Sequence, residues 1–444
     1  MGSFSVRPAS CVKGKLSFLG DKSIAHRSII CSSLSTGKTV IKNFPANQDC
    51  LNTLKALKKL GVKITQRKES KNLLTLTVFG KGLYGFKKPK SPIFVGESGT
   101  TLRIMLGVLA GQDFQVKIFA ARSLSQRPML RVATPLRMMG AQICAVRKKS
   151  PDGRIDEYPP ITIKGGNLNP INYRMPVASA QVKSAILFSG LYAKGITRVK
   201  ESVSTRDHTE RILKLFKAGI KVQQNQILIK GRTRLVSPGN IYVPGDISSA
   251  GFFMVLASIL PGSEIIIKNV SLNPSRSGII RVLKKMGANI RELSRSHSVE
   301  PMGDLLIKSS RLKGITVKKE LIPSLIDEIP ILMVAACFAR GKTVFEGAQE
   351  LRVKETDRVN SMSKNLTKMG AKVRVSGASG SEKIIIDGVK QLKGIRVKSF
   401  GDHRTAMSMV VAGMAASGKT CIDDIACINK SFPNFLGLIA SLKR

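Results

Sequence analysis

Residues 257–270, ASILPGSEIIIKNV, read in order as the end of an apolar helix of small residues, a glycine turn, and a strand rich in β-branched side chains. The same succession returns five more times, in SSLSTGKTVIKNF (32–44), GVLAGQDFQVKIF (107–119), GLYAKGITRVK (190–200), ACFARGKTVFEGA (336–348) and MAASGKTCIDDI (414–425). Between these copies lies a second recurring element, in KKLGVKI, RMMGAQI, FKAGIKV, KKMGANI and TKMGAKV. It reads as an amphipathic helix that ends on a C-cap glycine and enters a strand. The unit is therefore mixed α and β, about 75 residues long, and six of them fill the chain.

A longer echo lies over the repeat. Gly20-Asp21-Lys22-Ser23 returns as Gly245-Asp246-Ile247-Ser248, which groups the units three to a half. The spacing predicts an α/β chain of two domains, residues 20–242 and residues 243–444, with residues 1–19 joining the second. No Pro- or Ser-rich linker separates the halves, so the crossings are expected to be short and ordered.

Composition agrees with two cores. The chain has 444 residues, 43% of them hydrophobic, more than one core of ordinary size requires. Its longest apolar stretches, such as residues 329–339, reach about half of the roughly 20 residues that span a bilayer. The start, MGSFSVRPASCVKGK, has no apolar run of the kind a secretory signal needs, and a cytoplasmic product with no membrane partner is expected. The seven cysteines are scattered and never in C-x-x-C spacing, which fits reduced thiols better than a disulfide frame or a zinc site. Lys and Arg number 73 against 28 Asp and Glu, a net charge of +45 that attracts polyanions. The cations are spread along the whole chain, Trp is absent and aromatic residues make up 5%, leaving few stacking platforms. No specific nucleic-acid partner is expected, and the excess is read as a lysine-rich solvated surface.

Residues 413–420, GMAASGKT, satisfy the P-loop pattern G-x-x-x-x-G-K-[ST]. A P-loop follows a strand and opens a helix, whereas this run follows a helical stretch and leads into a strand. Gly-Lys-Thr also recurs at 37–39 and 341–343, so it is turn chemistry of the repeat.

Short polar clusters interrupt the apolar elements: GDKSIAHR (20–27), GESGTTLR (96–103), RPM (127–129), SAQVK (179–183), RDHTE (206–210), DEIP (327–330), RVKETDR (352–358), DHR (402–404) and KSFP (430–433). Arg offers a planar fork for carboxylate or phosphate, Lys a point charge, and Ser with Gly-rich backbone supplies neutral donors. A substrate with several negative charges is expected. If residues 352–358 are helical, Lys354 and Arg358 stand at i, i+4 and Glu355 with Arg358 at i, i+3, either as a functional face or as a surface ion-pair ladder. Asp327 opens an otherwise apolar helix, where it could also complement the helix dipole. His26 and His403 are assigned no catalytic step.

Taken in order from about Lys15 to Phe435, the motifs GDKS-x-x-HR, SAQ-x-KS, RDHTE, VPGDISSA, LR-x-KE-x-DR, DHR-x-AM and SFP closely resemble the enolpyruvyl transferase family, in its branch acting on shikimate 3-phosphate. The resemblance implies two inside-out α/β domains, each of three β-α-β-α-β-β units, with the active site in the cleft between them. It also implies transfer of the carboxyvinyl group of phosphoenolpyruvate to the 5-hydroxyl of shikimate 3-phosphate, with release of phosphate and no cofactor or metal. By the same resemblance Lys22, Ser23, Arg27, Ser179, Gln181, Arg206 and Lys354 hold shikimate 3-phosphate, with Asp327 near its reacting hydroxyl as proton acceptor. Lys22, Gly99, Arg127, Gln181, Arg358, Arg404 and Lys430 surround phosphoenolpyruvate, and Glu355 is the proton donor. A monomer is expected.

Leu19, Glu97, Thr205 and Gly251 depart from the family's usual proline, asparagine, serine and alanine. A carboxylate at 97 would repel phosphoenolpyruvate unless it points away or meets a cation. The sister branch acting on UDP-N-acetylglucosamine carries a reactive cysteine in the loop corresponding to residues 120–128, where this chain has none. A third reading, an inactive relative that binds nucleic acid through its basic surface, conflicts with the intact Asp327, Glu355 and cationic set.

Overall fold

The computed structural model describes residues 3–149, 153, 155–296, 299–377 and 382–442, with Lys430 described through its backbone alone. The chain divides into two compact units, Gly20–Val243 and Met1–Leu19 with Pro244–Arg444. Each has its own hydrophobic core.

One copy of the repeat runs in sequence order through strand Ile93–Phe94, helix Gly99–Leu109, strand Gln115–Phe119, helix Leu130–Met138 and strands Gln142–Lys149 and Ile155–Lys164. The first two strands are parallel and the last two add antiparallel, in the order first, second, fourth, third. The copy from Asn172–Arg174 to Gln226–Lys230 has the same order, as does that from Thr316–Val317 to Lys383–Asp387.

The other three copies are closed by strands from elsewhere in their own unit. The sheet containing Lys38–Pro45 takes its first strand from Asn240–Tyr242, with Asn240 opposite Val40. In the other unit, Lys13–Ser17 lies parallel to Glu264–Ser271, and Phe4–Val6 lies antiparallel to Thr420–Ile422. That last sheet has three strands.

The layers follow from the pattern of the sequence. Helix Ile247–Ile259 is apolar all round and buries every residue except Ser249 and Ile259. Helix Ile329–Cys337 buries all of its residues, and helices Lys22–Leu34 and His403–Ala415 all but two. A helix without a polar face must lie inside. The strands alternate, as in Gln115–Phe119, where Val116 and Ile118 are buried between exposed neighbours. Helices therefore form the centre of each unit and sheets its outer wall.

The echo between the halves extends into the backbone. Asp21 caps helix Lys22–Leu34 by accepting from Ile24 N at 3.0 Å, and Asp246 caps helix Ile247–Ile259 by accepting from Ser248 N at 2.8 Å. The strand after each helix is bulged, and the bulge holds an asparagine in the left-handed region, Asn43 at φ 57° and Asn269 at φ 50°.

Two local expectations change. In FKAGIKV the left-handed residue closing the helix is Lys217, at φ 60°, because helix His208–Leu215 stops early and Gly219 already lies in the next strand. In the four sister copies the glycine itself takes that position, at φ 85° to 108°. Residues 352–358 are not a helix: a 3₁₀ turn, Gln349–Val353, is followed by irregular chain, and helix Arg358–Lys368 begins at the last of them. The 413–420 run joins helix His403–Ala415 to strand Thr420–Ile422 through Gly418 at φ 79°, the reverse of P-loop order. Among the described residues no helix is long and apolar enough to cross a membrane.

Candidate active site

In the Gly20–Val243 unit, the candidates gather at the starts of three helices. Lys22 and Ser23 open helix Lys22–Leu34, and Lys22 Nζ donates to Asp49 Oδ2 at 3.1 Å. Arg27, one turn on, is buried. Its guanidinium donates to the Ser23 carbonyl, Ser184 Oγ and Thr209 Oγ1 at 2.8, 2.7 and 2.6 Å, so three helices meet on it. His26 beside it bonds Thr53 Oγ1 through Nδ1 at 2.7 Å, and burial pushes its pKa down to about 3, so it stays neutral.

Gly99 opens helix Gly99–Leu109 under the Ser98 cap. A Cβ there would lie 3.0 Å from Arg103 Nη1 and 3.4 Å from Arg127 Nη1. Glycine thus lets two guanidinium groups approach the backbone at the start of this helix, a concentration of positive charge and backbone donors suited to an anion. Gln181 joins the same cluster: its Oε1 accepts from Arg103 at 2.7 Å and its Nε2 donates to Thr100 Oγ1 at 2.9 Å. Ser179 is the N-cap of helix Ala180–Gly190, 3.4 Å from Val182 N. Glu97, the departure of most concern, is exposed.

Arg206 is half-buried on a loop held from inside. Lys183, 1% exposed, bonds Glu201 at 3.1 Å and Glu210 at 2.6 Å. Thr205 donates to Glu201 through both backbone N and Oγ1. Burial opposes the Lys183 charge, but Glu210 and Glu201 outweigh it and the ammonium is retained, while burial pushes the Glu210 carboxyl up. The threonine that replaces the family's serine thus keeps the hydroxyl this loop requires.

The other unit gathers its candidates around Arg358, which is 1% exposed. Its guanidinium donates to Asp402 Oδ2 at 3.0 Å, Asp327 Oδ1 at 3.4 Å and Glu355 Oε2 at 2.6 Å. Burial works against the Arg358 charge, and Asp402, Glu355 and Asp327 together overcome it. Arg404 Nη1 donates to the Asp327 carbonyl at 2.8 Å and stands 3.5 Å from Glu328 Oε1. Lys354 is pushed below the usual lysine range by burial, with the Asp327 carboxylate pulling the other way. Asp327 itself lies in a 3₁₀ turn, Ile326–Glu328, just before helix Ile329–Cys337 and not on it. The side chain of Lys430 lies outside the described residues. Gly251 faces Ile279 Cδ1, which a Cβ would approach to 2.7 Å, so glycine in place of alanine makes room there.

Several partners were not legible as such. Asp49 and Arg276 lie outside every polar cluster read from the sequence; Arg103, Lys183, Glu328 and Asp402 lie inside clusters without an assigned role. The available signal was the density of charge in otherwise apolar elements, since a buried charge must be paired. Among the described residues no group of three or more His, Cys, Asp and Glu side chains could hold a metal ion.

Carboxylates beside clustered cations, on a twice-threefold α/β scaffold, suit a transferase whose substrates are anions and whose chemistry moves protons. The family model of EPSP synthase (3-phosphoshikimate 1-carboxyvinyltransferase) matches residues 6–438, and the chain belongs to that family. It is 46% identical over 431 residues to the 3-phosphoshikimate 1-carboxyvinyltransferase of Desulforamulus reducens, covering 97% of each chain. To that of Bacillus cytotoxicus it is 44% identical over 440 residues, covering 99% of this chain and 100% of the relative. The solved EPSP synthase of Acinetobacter baumannii superposes with a TM-score of 0.85 at 40% identity, over the whole of both chains.

Proposed function

We propose that the chain transfers the carboxyvinyl group of phosphoenolpyruvate to the 5-hydroxyl of shikimate 3-phosphate, releasing phosphate, as a step of chorismate and aromatic amino acid biosynthesis. The observation that carries the reading is the convergence of Asp327 and Glu355, the two proton-transfer candidates, on the guanidinium of Arg358.

In this reading Glu355 protonates the methylene carbon of phosphoenolpyruvate and the adjacent carbon becomes cationic. The 5-hydroxyl oxygen adds to that carbon and gives up its proton to Asp327. The tetrahedral intermediate then returns a methyl proton to the Glu355 carboxylate as the C–O bond to phosphate breaks, the phosphate leaving with the bonding pair and the proton held by Asp327. General acid and base groups of this kind each contribute roughly 10²–10⁴ in rate. Arg358, Arg404, Arg127, Lys22 and Lys430, with Gln181 and the Gly99 backbone, hold phosphoenolpyruvate. Ser23, Arg27, Ser179, Gln181, Arg206 and Lys354, again with Lys22, hold shikimate 3-phosphate. Supporting the anion assignments are the approach of the Arg103 and Arg127 guanidinium groups to the Gly99 backbone and the internal bracing of the Arg206 loop. An incoming carboxylate or phosphate would compete with Glu355 for Arg358, which frees the acid as the substrate arrives. The same reading has the enzyme working in the cytoplasm as a monomer.

The test is a phosphate-release assay at moderate salt, so that the basic surface does not bind anions indiscriminately. Release that requires both substrates is expected. Folded protein that releases none, or needs only one of them, overturns the reading.

A further inference from the structure

Glu328 is completely buried, one residue beyond Asp327. Its carboxylate receives two bonds from Arg276, at 2.6 and 2.9 Å, and one from Ser248 Oγ at 2.5 Å. Arg404 stands farther off, at 3.5 Å, and gives its short bond to the Asp327 carbonyl. A buried carboxylate draws in whatever cation is nearest, and here Arg276 satisfies it in fork geometry before Arg404 does.

Arg276 is itself held. Asn273, fully buried, accepts from Arg276 N at 2.9 Å and Ser277 N at 2.8 Å through its carbonyl, and its side-chain amide donates to Glu300 at 3.0 Å. The turn then presses on the segment that carries Asp327. A Cβ on Gly278 would lie 2.2 Å from Ser324 Oγ and 3.0 Å from Leu325 Cβ. Residues 273–278 and 324–328 are therefore one packed body, joined by the Arg276–Glu328 fork.

We propose that Arg276 is a positioning residue of the transfer reaction: by saturating Glu328 it leaves Arg404 available to phosphoenolpyruvate. The inference rests on the assignment of Arg404 to phosphoenolpyruvate made above. Without Arg276, the buried Glu328 carboxylate would claim Arg404, and the cost would fall on one substrate only.

The experiment compares KM for each substrate in wild type, Arg276→Lys, Arg276→Met and the double variant Arg276→Met with Glu328→Gln. Removing one member of a buried charge pair should raise KM for phosphoenolpyruvate about tenfold or more in Arg276→Met and about threefold in Arg276→Lys. The double variant, which has no carboxylate to capture Arg404, should return to within about threefold of wild type, and KM for shikimate 3-phosphate should stay within about twofold throughout. If Arg276→Met does not fold, Arg276→Lys against the double variant makes the same comparison. An ion pair that only holds the fold would reduce the active fraction and leave both KM values alone. That result, or a parallel rise in both KM values, overturns the inference while a working wild type leaves the proposed function standing. A wild type that releases no phosphate sinks both.

Discussion

Arg358 accommodates three carboxylates, but they are not equivalent. Asp402 is wholly buried, whereas the Glu355 side chain is 39% exposed and is the one able to leave. Glu355→Gln keeps the shape and a weaker bond to Arg358 while removing the proton donor. It should lower kcat by about 10²–10⁴ with both KM values within about threefold of wild type. Unchanged kcat would take Glu355 out of the mechanism. His26 gives a prediction about pH. Burial, outweighing the pull of Asp49, sets its pKa near 3 against an ordinary 6.5. Between those values the unfolded chain binds a proton that the folded chain refuses, so stability falls as pH drops from 6.5 toward 3. His26→Gln should therefore lose less of its urea midpoint between about pH 7 and about pH 5 than wild type does. Equal losses in the two proteins would show that His26 does not couple folding to pH. The charged candidates themselves were readable because Arg and Lys interrupting apolar elements are conspicuous. Their partners were not, because Asp49 meets Lys22 and Arg276 meets Glu328 only through tertiary packing.

At the level of elements, helices Gly99–Leu109 and Ala180–Gly190 approach each other closely. A Cβ on Gly107 would fall 2.2 Å from the carbonyl oxygen of Ala185, which is backbone and cannot turn aside. Alanine would favour the helix by about 1 kcal/mol in isolation. Here it must push apart two helices whose starts carry Gly99 and Gln181. Gly107→Ala should destabilise the protein by about 3 kcal/mol in urea unfolding and raise KM for phosphoenolpyruvate. A neutral effect on stability would show that the helices are not so tightly seated. The six helix–turn–strand copies were legible from the sequence because small residues, turn glycines and β-branched runs each reflect a local backbone requirement. The FKAGIKV turn and residues 352–358 were not. In the first, helix His208–Leu215 stops before the glycine that closes its sister helices; in the second, the Asp357 cap starts helix Arg358–Lys368 at Arg358, whereas the i, i+4 spacing of Lys354 and Arg358 suggests a helix already begun.

For the whole molecule, a net charge of +45 means self-repulsion at every separation within a Debye length. Raising salt from about 10 to about 150 mM shortens that length from about 30 to about 8 Å. The midpoint of thermal unfolding should rise over this range, and a flat or falling midpoint in differential scanning calorimetry would count against net repulsion. Among the described residues the strands Lys13–Ser17 and Phe4–Val6 pair only with Glu264–Ser271 and Thr420–Ile422. During synthesis they leave the ribosome long before their partners exist. At about 5–20 residues per second the second of them waits roughly 20 to 80 s. The Gly20–Val243 unit draws on neither strand for its sheets and can close meanwhile. The waiting segment carries Arg7, Lys13 and Lys15, charges of the kind that keep an unpaired strand from adding to the wrong edge.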